Sequence, residues 1–209
     1  MSIAQNPVMG KMAKSFANVN TYVHKGQNVI SAKSFNRKDP NTEAQQVQRT
    51  SFKLISDAWA ALGGFGERGF PSRSERLSAF NVFMSLNLPN AIDSSGEVPA
   101  VDYSLLQIAK GSLPEVVVEQ ATITAAGISL QCESNVGFPK ASADDVVNVL
   151  VKKAGRPLKA VQTTRGEAEQ LQIDVALPGI NKEEVEFIYA FVNSADGKKA
   201  SNSVFVQIG

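Results

Sequence analysis

Residues 39–63, DPNTEAQQVQRTSFKLISDAWAALG, carry the clearest helical pattern in a chain of 209 residues. When the stretch is plotted at 100° per residue, Gln46, Arg49 and Lys53 fall on one side. The opposite side is apolar over a wide arc, which consists of Ala44, Val47, Ser51, Phe52, Leu54, Ile55, Ala58, Trp59 and Leu62. Because Gly63-Gly64 ends the pattern, the stretch predicts one helix that packs against a sheet or a second helix.

The residues before this helix predict a β-hairpin. Residues 1–14 lack a regular pattern and are expected to form an arm. Between residues 15 and 35, two runs rich in β-branched side chains flank the turn Lys25-Gly26-Gln27. His24, the only histidine of the chain, lies beside that turn. A lone histidine in such a place is expected to be a surface residue rather than a metal ligand or a base.

The six residues that follow the long helix, GFGERG at 64–69, match the G-x-G-x-x-G fingerprint of dinucleotide-binding proteins. That motif binds a pyrophosphate only where it joins a strand to a helix. A helix precedes it here and no β-α-β pattern surrounds it, so the favoured interpretation is a flexible linker. An enzyme that binds a nucleotide through this loop stays as an alternative.

A second helix is expected to begin at the capping box Ser72-Arg73-Ser74-Glu75 and to end near Asn87. Asn81 and Asn87 lie among apolar residues of this helix, so each needs hydrogen-bond partners if it is buried. Residues 90–113 predict a loop or short turns, anchored by Tyr103 and the two leucines that follow it.

From residue 114 onward the pattern changes to seven short β-type runs. They read VVVEQATIT, GISLQCES, VVNVLVKK, PLKAVQT, QLQIDVALP, VEFIYAFVNS and SNSVFVQIG. The strict alternation of apolar and polar residues at 171–177 indicates a strand with one buried face. Cys132 falls on the apolar side of its run, which predicts a core residue rather than a nucleophile. Seven strands over this length predict an immunoglobulin-like or fibronectin-like antiparallel β-sandwich.

The chain is therefore expected to be α+β and β-rich, with two domains. Residues 1–113 hold the arm, the β-hairpin and the two helices, and residues 114–209 form the sandwich. A hydrophobic content of 43% and a charged content of 20% are typical of globular proteins. The sequence shows neither an apolar run that could span a bilayer nor the apolar core of a signal peptide. We expect a cytoplasmic origin and no membrane association.

The sequence contains no residue pattern that specifies a known chemistry. A Ser-His-Asp set, a P-loop and zinc-ligand spacings are all missing. The single cysteine excludes an internal disulfide and a multi-cysteine metal site. The acid pairs Asp144-Asp145 and Glu183-Glu184 are neighbours in sequence, and neighbours on a strand point to opposite faces. We therefore expect no catalytic residue, no cofactor and no metal.

The net charge of +1 conceals an uneven distribution. Residues 1–76 contain eleven Lys or Arg and five Asp or Glu, a net charge of +6, and the remainder has a net charge of −5. Two such halves can meet head to tail in a homo-oligomer, or the basic half can make a weak contact with nucleic acid. An ordinary scatter of charge over a solvated surface explains the distribution equally well.

Four segments resemble a domain-of-unknown-function family of Bacteroidota and their tailed phages. They are YVHKGQNVISAK, PNTEAQQVQRTSFKLISDAW, LSAFNVFMSLN and YAFVNSADGKKASNSVFV. The second segment also resembles the phrase N-P-x-T-x-x-Q-x-x-x-R-x-x-F of small phage structural proteins, matched here at Gln45, Arg49 and Phe52. Asp39 stands where that phrase has asparagine. The family assigns no catalytic residues, so the resemblance transfers none.

The resemblance and the missing chemistry together predict a non-enzymatic structural protein. The leading hypothesis is a virion component of a tailed phage, either a subunit of a neck or tail ring or a capsid-associated protein. Gln46, Arg49 and Lys53 are the predicted subunit contact, with other copies and other virion proteins as partners. The alternatives are a cytoplasmic protein that binds nucleic acid through its basic half, and a module that binds carbohydrate or protein.

Overall fold

The computed structural model describes residues 2–4, 14–35, 39–96 and 98–208. The chain is α+β and strand-rich, and it divides into two compact units, 1–42 and 43–209. This division lies at a different place from the domain boundary predicted after residue 113. The reason is that the helices share a hydrophobic cluster with the strands that follow them.

The N-terminal unit is an antiparallel sheet of four short strands in the order β1-β4-β3-β2. The strands are β1 Ser2–Ala4, β2 Lys14–Phe16, β3 Val19–His24 and β4 Gln27–Ala32. Lys25 and Gly26 connect β3 to β4, with φ angles of 51° and 80°. Positive φ at both central residues is the conformation of a two-residue type I′ turn, which explains why the glycine is needed there.

The N-terminal sheet has two strands more than the predicted hairpin. The run predicted as one strand from residue 15 is divided by a turn at Ala17, whose φ is 47°. That turn is the physical reason why the apolar residues of the run do not alternate. Ser2–Ala4, predicted as part of an irregular arm, pairs with β4, and residues 5–13 of the arm lie outside the described residues.

Very few of the described side chains of the N-terminal sheet are buried. Among the residues of this unit whose side chains the structure describes, only Val29 is buried, at 5% exposure. Tyr22, on the neighbouring strand opposite Val29, is 41% exposed. A stable sheet needs a hydrophobic face packed against something, and among the described side chains of this unit only Val29 is buried enough to contribute to one.

The second unit begins with a helical layer made of α1 Glu43–Leu62, α2 Phe65–Gly69 and α3 Ala79–Asn87. The long helix α1 is present as predicted, but its buried face is a narrow stripe of Ser51, Ile55, Ala58 and Leu62. Phe52, predicted within the apolar arc, is 48% exposed. None of these helices is long and apolar enough to cross a membrane, a finding that concerns the described residues only.

The second long helix starts later than the sequence predicts. Ser78 caps α3, because its side-chain oxygen accepts a hydrogen bond of 3.1 Å from the backbone N–H of Asn81. The predicted cap, Ser72, instead donates its hydroxyl to the carbonyl oxygen of Lys198 at 3.2 Å. Ser78 directly precedes the buried Ala79, so the helix begins where its apolar face begins.

The seven predicted strands of the C-terminal half are all present, after a small hairpin of β5 Ile92–Asp93 and β6 Ala100–Val101. They are β7 Val117–Thr124, β8 Gly127–Glu133, β9 Val146–Lys153, β10 Lys159–Thr164, β11 Gln170–Ala176, β12 Val185–Asn193 and β13 Val204–Phe205. They form a three-stranded sheet, β11-β8-β7, and a four-stranded sheet, β10-β9-β12-β13. A short 3-10 helix, Lys182–Glu184, leads into β12.

The four-stranded sheet is the middle layer of the second unit. On one side Val149 and Ile188 pack with Leu130 and Ile173 of the three-stranded sheet. On the other side the strands pack against the helices through Leu150, Phe187, Tyr189 and Phe191. Because β12 is buried on both faces, seven of its nine residues are buried.

Candidate functional site

The predicted subunit contact lies on the solvent-facing side of α1. Gln46, Arg49 and Lys53 are all exposed, and they occupy the side of the helix opposite the buried stripe. Their spacing of three and four residues places them on one face. The first two turns of α1 contain no buried residue, so this part of the helix extends beyond the hydrophobic cluster.

The glycine motif at 64–69 forms part of the helical layer. The interpretation as a flexible linker is wrong, because Phe65–Gly69 is a helical turn in which Gly66 and Gly69 are buried. A Cβ at Gly66 would lie 2.6 Å from the Trp59 ring, and one at Gly69 would lie 2.1 Å from the carbonyl oxygen of Ile108. Close packing therefore accounts for the two glycines and for their spacing.

Basic side chains surround a cleft of about 590 Å³ beside α2. Arg73 forms an ion pair of 3.0 Å with Glu67 and donates a hydrogen bond of 2.9 Å to the carbonyl oxygen of Phe70. The guanidinium of Arg68 lies 5.2 Å from the centroid of the Phe65 ring. These local partners contact both arginines, and the cleft between them presents a polar surface.

A network of amide side chains links α2 to the four-stranded sheet. Asn148 donates to Asn193 Oδ1 at 3.0 Å and accepts from Gln162 Nε2 at 2.6 Å. Asn193 in turn donates to the carbonyl oxygen of Arg68 at 2.9 Å. Asn148 is fully buried and Asn193 nearly so. Sequence reasoning missed these residues, because asparagine inside an apolar run gives no signal of which partner it will find.

Asn87, for which buried partners were predicted, is fully buried and satisfied. Its amide nitrogen donates to the carbonyl oxygens of Phe83 and Gln107, at 3.0 and 2.8 Å, and its oxygen accepts from the backbone N–H of Gln107 at 2.7 Å. Asn81 is exposed. Asn87 therefore fixes the segment after α3, which is a structural task.

The most buried charged group, Arg165, was also missed from sequence. Its side chain is fully buried, with Nε 3.6 Å from Asp145 Oδ2 and Nη2 donating to the carbonyl oxygen of Pro114 at 2.7 Å. Nη1 donates to the carbonyl oxygen of Ser134. Burial lowers the pKa of the Arg165 guanidinium, and the charge of Asp145 counteracts that shift. The pair connects the ends of several strands.

The outer face of the three-stranded sheet is polar and acidic. Its exposed side chains include Gln131, Glu133, Gln172 and Asp174, which alternate with buried residues along β8 and β11. Hydrogen bonds from Ser129 and Gln172 lower the pKa of the Asp174 carboxyl group. The acids on this face are Glu133 and Asp174, and Lys140, Arg165 and Lys182 lie in the segments that flank its strands. We call this surface the acidic face.

The N-terminal unit has the opposite net charge in its sequence. Residues 1–42 contain six Lys or Arg and one acid, a net charge of +5, which leaves −4 for residues 43–209. Lys14, Lys25 and Lys33 are exposed. Phe35 is 61% exposed, with the Lys33 ammonium 5.8 Å from its ring centroid. We call this unit the basic sheet.

Cys132 is not placed to react. It is fully buried in the cluster between the two large sheets, as the sequence predicts. Burial, with a smaller contribution from Glu119, raises the pKa of its thiol to about 11. A thiol with so high a pKa is protonated near neutral pH and is a poor nucleophile. His24 is exposed at the end of β3, beside the turn.

No cluster of three or more His, Cys, Asp or Glu side chains that could bind a metal ion occurs in the part of the chain that the structure describes. What the geometry offers instead is a set of surfaces suited to non-covalent contact. They are the face of α1, the polar cleft beside α2, the acidic face and the basic sheet.

Comparison with known proteins gives one finding about relatives. A family model described as a family of unknown function, DUF6266, matches residues 10–207, which is nearly the whole chain. No curated protein matches the chain.

Proposed function

Because the chain belongs to DUF6266, a family to which no function is assigned, we propose a function from its surfaces: a non-enzymatic structural subunit that assembles with copies of itself. The assembly is a virion component of a tailed phage, a neck or tail ring or a capsid-associated layer. The resemblance of residues 39–52 to a phrase of small phage structural proteins supports the virion setting.

The observation that carries this proposal is the basic sheet. It is a compact unit in which one described side chain, Val29, is buried. Among the described side chains, this is less hydrophobic burial than a unit of this size needs to fold stably by itself. Assembly supplies that missing burial, because contact with another surface covers side chains that are now exposed. Val23 and Tyr22 are 36% and 41% exposed.

The second unit supplies a scaffold for such an assembly. We infer an immunoglobulin-like or fibronectin-like sandwich for residues 114–209. The order of the strands, three in one sheet and four in the other, supports this inference, as does the hydrophobic cluster that the two sheets share. A sandwich of this kind presents broad sheet faces and end loops for binding.

Gln46, Arg49 and Lys53 remain our predicted subunit contact on α1. The double substitution Arg49→Glu and Lys53→Glu should weaken assembly and leave the fold intact, because both side chains are exposed. Light scattering after size-exclusion chromatography measures the assembly, and circular dichroism checks the fold. Glu75→Lys, an exposed change outside α1, is the matched control.

A strictly monomeric native chain at all concentrations would overturn the proposed function. Mass spectrometry of purified phage particles tests the virion setting independently of the oligomer. Absence of the chain from such particles contradicts a virion role, even if the protein forms a ring in solution.

Nucleic-acid binding is a second candidate, favoured by the exposed aromatic residues among the lysines of the basic sheet. Tyr22 and Phe35 are large enough to stack on bases, and nearby lysines can contact phosphates. Affinity for single-stranded DNA should then fall steeply with salt, because counterions are released on binding. An affinity that does not change between low and moderate salt would exclude this candidate.

A further inference from the structure

We propose that the polar cleft beside α2 binds the phosphate group of a small phosphorylated molecule, with Arg68 as the residue that holds the phosphate. This ligand site goes beyond the assembly role and does not depend on it. The cleft has a volume of about 590 Å³ and belongs to the second unit. It is lined by Glu67, Arg68, Pro71, Arg73, Gly197 and Lys198.

Arg68 is the side chain of the cleft that has donors available for an anion. Its guanidinium lies over the ring of Phe65, 5.2 Å from the centroid. It forms neither an ion pair nor a hydrogen bond with any other side chain among the residues that the structure describes. A guanidinium with free N–H groups matches two oxygens of a phosphate in a bidentate contact.

The other charged groups of the cleft leave it positive. Arg73 pairs with Glu67 at 3.0 Å, and Lys198 Nζ lies 3.7 Å from Asp196 Oδ2. Each of these two cations therefore has an acid beside it, and the charge of Arg68 is the one that the two acids do not balance. A positive cleft attracts an anion, and a phosphate dianion more strongly than a monoanion.

Hydrogen bonds connect the two walls of the cleft. The side-chain amide of Asn193, which is nearly buried, donates to the carbonyl oxygen of Arg68 at 2.9 Å. The hydroxyl of Ser72 donates to the carbonyl oxygen of Lys198 at 3.2 Å. These two bonds join α2 and the loop after it to the turn at residues 194–199. The cleft is therefore formed before a ligand arrives, which lowers the cost of binding.

A smaller cavity next to the cleft has room for the rest of the ligand. This inner cavity has a volume of about 200 Å³, and it shares Arg68 and Gly197 with the cleft. Its other lining residues are Val146, Gln162, Asn193, Ser194 and Ala195. Gln162 donates its Nε2 to Asn148 at 2.6 Å, which leaves its carbonyl oxygen to accept a hydrogen bond from a ligand hydroxyl. The ligand class is therefore a phosphate monoester of a small hydroxylated molecule.

Isothermal titration calorimetry of the full chain with glycerol phosphate and with inorganic phosphate tests the site. Both ligands should bind saturably. Glycerol phosphate should bind at least about threefold more tightly, because only its glycerol part reaches the inner cavity. Every titration is made at the same ionic strength, set with sodium chloride, so that general screening of charge does not differ between them.

Three variants locate the binding, and circular dichroism checks that each is folded. Arg68→Gln removes the charge and should weaken the binding of both ligands at least about tenfold. Arg156→Gln is the matched control, because Arg156 is exposed and follows the end of β9 that lies about 20 Å from Val146. Ala195→Leu fills the inner cavity from an exposed turn, so it should reduce the affinity for glycerol phosphate to that for inorganic phosphate.

Three results overturn the proposed site. The first is the absence of saturable binding of either ligand up to about 10 mM. The second is an Arg68→Gln variant that binds both ligands as tightly as the native chain does. The third is an Ala195→Leu variant with an unchanged affinity for glycerol phosphate, which contradicts the proposed ligand class. Light scattering measures assembly separately, so none of these results decides the proposed function.

Discussion

The basic sheet and the two large sheets of the second unit are both antiparallel, and they differ in what they bury. The large sheets share a cluster of 15 buried residues, and the middle layer packs a second cluster against the helices. The basic sheet buries Val29 among its described side chains. Backbone pairing is therefore similar in both regions, while hydrophobic burial among the described side chains is almost confined to the second unit.

The difference teaches that strand pairing alone does not make an independent unit. Pairing satisfies the backbone groups, but burial of apolar area supplies most of the stability. The sequence shows the same difference between the two regions. Apolar and polar residues alternate strictly at residues 171–177 and do not alternate at residues 15–24. The comparison predicts that substitutions of buried residues lower the free energy of unfolding strongly in the second unit and only slightly in the basic sheet.

The largest expected effect comes from the buried ion pair. Asp145→Ala leaves the Arg165 guanidinium buried without its counter-charge, which should destabilise the second unit by about 3–5 kcal/mol. Urea denaturation followed by circular dichroism measures the loss. The double variant Asp145→Ala, Arg165→Met removes both charges and should recover a large part of that stability. A single variant as stable as the native chain contradicts a role for the pair.

A matched pair of core substitutions tests the comparison directly. Leu130→Ala removes a fully buried side chain between the large sheets and should cost about 3 kcal/mol, including the cavity that it leaves. Val29→Ala removes the buried side chain of the basic sheet and should cost less than about 1 kcal/mol, since its loose surroundings can close around it. If both substitutions lowered the free energy of unfolding equally in urea denaturation, the basic sheet would have a packed core of its own.

Two glycines test the packing of the helical layer. Gly69→Ala places a Cβ 2.1 Å from a backbone oxygen that cannot move alone, so it should destabilise by about 1–3 kcal/mol. Gly64→Ala is the control, because its Cβ meets nothing within 4 Å and its φ of −65° suits alanine. The control should be neutral or slightly stabilising. Thermal denaturation of the two variants should give melting-temperature changes of opposite sign or clearly different size.

The smallest effect is a pH dependence caused by Cys132. Its pKa is about 11 in the folded chain and near 9 when exposed, so the unfolded chain loses the proton first as the pH rises. Below pH 9 this thiol does not lower the free energy of unfolding. Above pH 9 the free energy of unfolding falls by about 1.4 kcal/mol per pH unit, until the folded thiol also ionises.

Cys132→Ala should remove this slope, although it lowers stability at every pH through the lost side chain. Urea denaturation between pH 8.5 and pH 10 is the suitable window. A slope that is the same in both proteins contradicts the assignment to this thiol.

Much of the second unit could be predicted from the sequence, because its elements are set by local periodicity. The long helix and the seven strands were found where apolar residues recur at the period of a helix or a strand. The start of α3 was missed because Ser72 and Ser78 both look like caps, and only the buried Ala79 decides between them.

The interaction surfaces were harder to predict, because they depend on residues distant in sequence. Arg165 looks like an ordinary turn residue and reveals its partner, Asp145, only in three dimensions. The acidic face combines two segments that are separated by β9 and β10, so its charge is hidden in totals for halves of the chain. Gly66 and Gly69 are needed because they pack closely against Trp59 and Ile108. The sequence instead matches them to the dinucleotide-binding fingerprint, in which the glycines serve a bound pyrophosphate.

The alternation of β12 has a consequence for how this chain can change during evolution. Phe187, Tyr189 and Phe191 belong to the cluster under the helices, and the residues between them belong to the cluster between the sheets. Insertion or deletion of one residue in this strand would exchange the two sets. The length of β12 should therefore be invariant among relatives, whereas the exposed turn at residues 195–199 is free to vary in length.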